Sequence, residues 1–166
     1  TKEKTDILVM VHGDEPMDTP QMVREALQPM LNDDQVNIVN LMAQITGVEE
    51  FEDVNTVKVV TNPDGDALYF SREAVPSRAK WSGDVPMKKQ VCVIPFRRDY
   101  LLEFNKTPEM PLEKIESVDM LRVLESGGRV RMVPTTYPTI GVDTPKHLEM
   151  VIDLMRSDEL MKTYLS

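Results

Sequence analysis

Two short acidic loops are the parts of this sequence whose residue types could do chemistry. Gly13-Asp14-Glu15 directly follows an apolar run at 7–11, and Val142-Asp143-Thr144 directly precedes a run with helical spacing. In open α/β sheets, ligands bind outside the carboxyl ends of the strands, so an acid just after a strand is placed to meet one. Two carboxylates that converge on one point suit Mg²⁺, with waters and phosphates as its other ligands. The loops are therefore compatible with a magnesium site at Asp14 and Asp143.

Each of these loops also has a purely structural interpretation. Asp14 lies between Gly13 and Pro16, where a short polar side chain is a common turn residue. Asp143 or Thr144 could instead be the N-cap of the helix that follows, since both residue types accept hydrogen bonds from free backbone N–H groups. Spacing alone leaves both interpretations open.

Strands and helices alternate along the chain, so the pattern predicts the α/β class, with a mostly parallel mixed sheet and flanking helices. The continuous apolar run at 7–11 predicts a strand buried on both faces of a parallel sheet. Asn62-Pro63-Asp64-Gly65 is a strong turn signal between two runs that we expect to pair as a hairpin. Strands are predicted at 7–11, 37–42, 57–60, 67–70, 90–94 and 130–133, and helices from Pro20 and at 97–104, 111–125 and 144–155.

Composition narrows the class of partner. The 166 residues suffice for one domain, and a net charge of −9 argues against a surface for a nucleic-acid polymer. A nucleotide remains possible, because a metal ion can supply local positive charge. No apolar stretch approaches the roughly 18 residues of a membrane span, so we expect a cytoplasmic protein without membrane attachment. Cys92 is the one cysteine and is expected to be a small buried residue.

Five stretches carry a resemblance to a known family. They are Val11-His12-Gly13-Asp14-Glu15-Pro16, Val57-Lys58-Val59-Val60, Ala67-Leu68-Tyr69-Phe70-Ser71-Arg72, Pro111-Leu112-Glu113-Lys114-Ile115-Glu116 with Leu121-Arg122, and Gly141-Val142-Asp143-Thr144-Pro145. In these stretches, and in their order and spacing, the sequence resembles the 3-deoxy-manno-octulosonate (Kdo) cytidylyltransferases and their acylneuraminate relatives. The resemblance covers essentially the whole chain.

The resemblance implies a fold, a reaction and a metal. The fold is that of the nucleotide-diphospho-sugar transferases, which is Rossmann-like. The reaction joins CMP from CTP to an acidic sugar and releases pyrophosphate, in the synthesis of lipopolysaccharide or a surface polysaccharide. Asp14 and Asp143 become the catalytic magnesium ligands. A homodimer is also implied, with the hairpin around Tyr69 as its candidate interface.

One departure from the family concerns the triphosphate. The family places a loop rich in Gly, Arg and Lys after its first strand, and none of the seven glycines here belongs to such a loop. Residues 1–166 are therefore expected to be the C-terminal part of a single cytidylyltransferase domain that is incomplete at the N-terminus. The alternatives are that another subunit supplies the loop, or that the protein is a catalytically inactive dimerisation or binding module.

A second departure concerns the acceptor. The family's usual Gln before Gly-Asp-Glu-Pro is His12 here, its usual His on the central strand is Gln90, and its Glu-Gln before Leu-Arg is Asp119-Met120. These changes favour an acidic acceptor other than Kdo, unless His12 and Gln90 exchange roles. Arg72 could pair with a substrate carboxylate or form a salt bridge at the surface or at a subunit interface. The predicted substrate-binding residues are His12, Arg72, Gln90, Glu113 and Asp119, although an acidic side chain on the 111–125 helix could simply be solvated.

Overall fold

The computed structural model describes residues 5–165, in which seven strands and seven helices follow one another. Their bounds are β1 (Ile7–Val11), α1 (Pro20–Asn32), β2 (Val39–Gln44), α2 (Val48–Glu52), β3 (Lys58–Thr61), β4 (Ala67–Ser71), β5 (Lys88–Val91), β6 (Val93–Arg97), α3 (Arg98–Phe104), α4 (Pro111–Glu116), α5 (Met120–Glu125), β7 (Arg131–Thr135), α6 (Pro145–Arg156) and α7 (Glu159–Leu165). None of the helices in these residues is long and apolar enough to cross a bilayer.

The strands form two sheets. One has five strands in the order β4-β3-β5-β2-β7, and the other pairs β1 with β6. This confirms the α/β class with a mixed sheet and flanking helices. The strand directions differ from the prediction, because within residues 5–165 only β2 and β7 pair in parallel. The β3–β4 pair must be antiparallel, since only a short turn that includes Gly65, with φ of 84°, joins its strands.

The environment predicted for β1 is wrong. This strand pairs antiparallel with β6, and Leu8 and Val11 are 38% and 48% exposed. A continuous apolar run is typical of a doubly buried parallel strand, but it cannot specify how many neighbours the strand has. Within the described residues β1 pairs with β6 alone, which leaves its other edge and part of its surface open.

Two predicted elements are each divided in the structure. The strand expected at 90–94 becomes β5 and β6, which belong to different sheets and meet at Cys92. The helix expected at 111–125 becomes α4 and α5, because Ser117 adopts the left-handed conformation with φ of 53°. Helical periodicity continues across Ser117, so the apolar pattern could not indicate this break. The short helices α2 and α7 were not predicted.

The core has a cluster on each side of the large sheet. Met22, Ala26 and Met30 of α1 pack with β2, β5 and β6 in one cluster. Phe70, Phe96 and strand residues pack with α5 in the other. On α6 the apolar residues recur at helical spacing, but Leu148 and Ile152 are exposed and Val151 is buried. Leu31 of α1 and Ile115 of α4 are likewise exposed.

Candidate active site

A cleft of about 1320 Å³ opens beside the five-stranded sheet. Its walls come from the loops after β1 and β7, the edge of β5, and the α4–α5 junction. All seven residues predicted for the site line it, although they are spread over 132 positions of the chain: His12, Asp14, Arg72, Gln90, Glu113, Asp119 and Asp143. The predicted site residues are therefore brought together, and their individual surroundings decide what each can do.

The two acidic loops touch at one end of this cleft. The Val142 N–H donates a hydrogen bond of 2.8 Å to the backbone oxygen of Asp14. The N-cap of α6 is Thr144, whose hydroxyl accepts from the His147 N–H at 3.2 Å. Asp143 is therefore not needed as a cap, and its half-exposed carboxylate lines the same cleft as that of Asp14. The capping interpretation of Asp143 is thus removed.

Two imidazoles stand next to these carboxylates. His12 Nδ1 lies 3.9 Å from Asp14 Oδ1, and His147 Nδ1 lies 4.0 Å from Asp143 Oδ2. His147 Nε2 also lies 4.0 Å from an oxygen of Asp53. His147 was not among the predicted site residues. Its only sequence signal was its position four residues after Asp143, which places both on one side of the helix start.

The donor set suits magnesium with a nucleotide better than a metal held by protein alone. Within the described residues, no group of three or more His, Cys, Asp or Glu side chains is arranged to hold a metal ion. Asp14 and Asp143 are two hard oxygen donors on adjoining loops. Magnesium is commonly bound by one or two carboxylates plus substrate phosphates and waters, so these residues fit that ion.

A buried acidic pair lies behind Asp14 and was not singled out from the sequence. Glu15 Oε1 accepts the Cys92 N–H at 3.0 Å, at the point where the chain leaves β5 for β6. The other Glu15 oxygen and both Asp18 oxygens are inaccessible and have no hydrogen-bond partner among the described residues. Burial, with Glu15 and Asp14 nearby, raises the pKa of Asp18 to about 7. Cys92 is half-buried and not fully buried as expected, and burial raises the pKa of its thiol, which favours the unreactive protonated form.

We expect Asp18→Asn to stabilise the protein at pH 8 and to flatten its pH dependence. The Asp18 pKa is about 7 in the folded state against an ordinary 3.8, so the folded state holds this proton more tightly. Its stabilising contribution is present below about pH 4 and is lost as the pH rises through 7. The gain at pH 8 should be about 1–2 kcal/mol after allowance for solvent screening.

Urea unfolding at pH 5 and pH 8 measures this effect. The exposed hairpin-turn variant Asp64→Asn is the matched control and should follow the wild type at both values. We expect the free energy of unfolding of the wild type to fall more between pH 5 and pH 8 than that of Asp18→Asn. An equal change in the two proteins would show that Asp18 is ionised normally.

Asp119 and Glu113 differ although both line the cleft. Burial raises the pKa of Asp119, and nearby His12 partly opposes this shift. Glu113 is paired at both oxygens with Arg122, by a bond of 2.7 Å from Nε to Oε2 and by a second bond from Nη2 to Oε1. These bonds lower the pKa of Glu113. Asp119 has a backbone hydrogen bond with Met120 but no ion pair among the described residues, whereas the Glu113 carboxylate is already paired and the solvated alternative does not describe it.

The Arg72 side chain is hydrogen-bonded to backbone carbonyl groups. Its guanidinium donates to the carbonyl oxygens of Glu116 at 2.6 Å, Val54 at 2.9 Å and Ser117 at 3.2 Å. The Glu116 carboxylate in turn accepts from the Arg72 N–H and from the hydroxyls of Tyr69 and Ser71. Arg72 therefore ties the β3–β4 hairpin to the α4–α5 junction. Among the described residues Arg72 forms no salt bridge, because its guanidinium is bonded to carbonyl oxygens. A salt bridge at a subunit interface and a contact with substrate both stay predictions.

Comparison with known proteins decides the family. The sequence model described as Cytidylyltransferase matches residues 1–132. The chain belongs to the cytidylyltransferase family. It is 42% identical over 158 residues to the 3-deoxy-manno-octulosonate cytidylyltransferase of Geobacter metallireducens, covering 89% of this chain and 62% of that one. With the enzyme of the same name from Solibacter usitatus it shares 40% identity over 158 residues, covering 95% and 63%.

Solved structures agree with this membership. A CMP:2-keto-3-deoxy-manno-octonic acid synthetase complexed with CTP is 36% identical, with a TM-score of 0.83, over 93% of this chain and 64% of that one. A putative glucose-1-phosphate thymidylyltransferase from Bacillus anthracis is 11% identical, with a TM-score of 0.59 over 93% and 56%, and shows the fold alone. The chain spans a little under two thirds of the length of the curated cytidylyltransferases that it matches.

Proposed function

We propose that the protein transfers CMP from CTP to an acidic sugar and releases pyrophosphate, with Mg²⁺ held by Asp14 and Asp143. The observation that carries this proposal is the hydrogen bond from the Val142 N–H to the backbone oxygen of Asp14. It joins the two acidic loops, both of which line the cleft. Membership of the cytidylyltransferase family supports the nucleotide, and the names of its relatives support the acidic acceptor.

The residues of the cleft divide between metal and acceptor. Asp14 and Asp143 would hold the ion, which supplies charge neutralisation at the phosphates and favours loss of the proton from the attacking hydroxyl. His12, Gln90 and Asp119 line the cleft and would orient the acceptor. As the acceptor hydroxyl attacks the α-phosphorus, the bond to pyrophosphate breaks and the hydroxyl proton passes to solvent.

Pyrophosphate release by the protein from its full natural reading frame tests this proposal. We expect release that requires CTP, magnesium and a sugar acid together, and that stops when a chelator removes the metal. A panel should contain Kdo, acylneuraminates and neutral sugars of matched size as controls. Release that is equal without an acceptor, or equal with neutral sugars, would contradict the proposal and favour the catalytically inactive dimerisation or binding module.

The proposal extends to assembly and setting. We propose a homodimer that uses the β3–β4 hairpin, because β4 is at the end of the strand order and Leu68 on it is exposed. Light scattering of the wild type and of Leu68→Glu would test that interface. We also propose a cytoplasmic role in lipopolysaccharide or surface-polysaccharide synthesis, because the relatives are named for an acidic sugar. This role depends on the proposed reaction.

A further inference from the structure

Asn40 is a fully buried polar residue near the start of β2. Its Nδ2 donates hydrogen bonds of 2.9 Å to the Leu41 oxygen and 2.7 Å to the Val91 oxygen. Backbone carbonyl oxygens only accept, so the nitrogen of this amide must face them. The surroundings of Asn40 therefore fix its Oδ1 away from these two carbonyl oxygens.

Gln90 of β5 meets that oxygen. Its Nε2 donates a hydrogen bond of 2.7 Å to Asn40 Oδ1. Since Oδ1 only accepts, the Gln90 atom that faces it must be the nitrogen, and the reverse orientation of the amide would oppose two oxygens. The orientation of Gln90 is thus determined through Asn40 by two backbone carbonyls that lie outside the cleft.

This arrangement leaves one defined atom of Gln90 for a ligand. Gln90 lines the cleft, and its Oε1 has no hydrogen-bond partner among the described residues. That oxygen is not one of the inaccessible unpaired atoms, such as those of Asp18, so solvent reaches it. The cleft therefore contains a fixed hydrogen-bond acceptor at this position. An imidazole there, which the family resemblance makes usual, could present either a donor or an acceptor.

We propose that Asn40 is a positioning residue that holds the Gln90 amide oxygen toward the cleft, where it accepts a hydrogen bond from a hydroxyl or N–H of the acceptor. This inference rests on the proposed function and narrows its substrate class. Acceptors with a donor group at this position are preferred, and analogues that carry a hydrogen or a methyl ether there are disfavoured. Asn40 itself lies in the core and touches no substrate.

The first experiment measures the amide directly and needs no reaction. Hydrogen exchange of the Gln90 side-chain NH₂, followed by NMR, should be slow in the wild type because the group is bonded to Asn40. In Asn40→Ala we expect exchange to become about tenfold faster, as loss of about 1.4 kcal/mol of hydrogen bonding implies. Exchange that is unchanged in this variant overturns the inference.

The second experiment is a kinetic double-mutant cycle on the protein from its full natural reading frame. Gln90→Met removes the oxygen at similar volume and should raise the acceptor KM about 5- to 30-fold, with the CTP KM nearly unchanged. Asn40→Ala should raise the acceptor KM in the wild type but add less than about twofold in the Gln90→Met background. Gln28→Met, at an exposed position of α1, is the matched control and should change neither KM.

The outcomes separate this inference from the proposed function. Additive effects of Asn40→Ala and Gln90→Met on the acceptor KM, or equal effects on the CTP KM, overturn the positioning role while CMP transfer stands. If the wild type transfers CMP to no sugar acid, the proposed function fails and the recognition role of Gln90 fails with it. A deoxy or O-methyl acceptor should bind the wild type more weakly than the parent acceptor does, but should bind Gln90→Met equally well. The position of that change would identify the hydroxyl that donates to Gln90.

Discussion

Asp14→Asn and Asp143→Asn should each lower kcat for CMP transfer about 100-fold or more, because either change removes a charged oxygen ligand from the proposed magnesium site. The side chains are isosteric, and both carboxylates are about half exposed, so we expect folding to be retained. Steady-state kinetics across magnesium concentrations measures the effect. The double variant should be little worse than the poorer single variant, since both residues serve one ion.

The matched control for these variants is Asp64→Asn. Asp64 lies in the exposed turn of the β3–β4 hairpin and does not line the cleft, so its loss should leave kcat and the magnesium requirement unchanged. Retention of kcat within about threefold in both Asp14→Asn and Asp143→Asn would contradict the metal assignment, since a lost ligand costs several kcal/mol of transition-state stabilisation.

Arg122→Met should lower the free energy of unfolding by about 3–5 kcal/mol, because it leaves the buried Glu113 carboxylate without its partner. Arg122 also donates to the carbonyl oxygens of Phe104 and Thr107 and lies 4.4 Å above the Phe104 ring. The substitution therefore removes the hydrogen bonds that join α5 to α4 and to the end of α3. Urea unfolding at pH 7 with an unchanged m value is the measurement.

Two further variants show which part of this loss is electrostatic. Arg122→Lys keeps the charge but cannot form the two-point bond to Glu113, so it should recover only part of the stability. Arg156→Met removes an exposed ion pair with Asp153 on α6 and should change the free energy of unfolding by less than about 1 kcal/mol. A loss of less than about 1 kcal/mol in Arg122→Met would show that Glu113 tolerates isolation and contradict the buried-pair interpretation.

Local chemistry made part of the fold predictable. Thr19 caps α1 by accepting from the Met22 N–H, Thr144 caps α6, and Gly127 adopts a positive φ after α5. These features depend on neighbouring residues, so the sequence contains their causes. The break at Ser117 depends instead on the Arg72 and Glu116 contacts, which join residues about 45 positions apart. The spacing of apolar residues within one helix cannot predict a break that depends on such distant residues.

The candidate site follows the same division. All seven residues that the motifs identified line the cleft, because the acidic loops and the family resemblance placed them on particular elements. The state of each side chain was not predictable. Arg72 is engaged by backbone carbonyls and Glu113 by Arg122, whereas Gln90 is oriented by Asn40. Asn40 carried no signal, since its role depends on carbonyl groups that only the folded sheet brings near.

Transfer of label from CTP tests the proposed reaction most directly. CTP labelled at the α-phosphorus would be incubated with magnesium, a sugar acid and the protein from its full natural reading frame, and the products would be separated by charge. We expect the label to move into a CMP ester of the sugar, in equal amount to the pyrophosphate released, and to remain in CTP when Asp14 is replaced by asparagine. Label that stays in CTP with every acid sugar, or that appears in free CMP without an acceptor, would contradict the proposed CMP transfer.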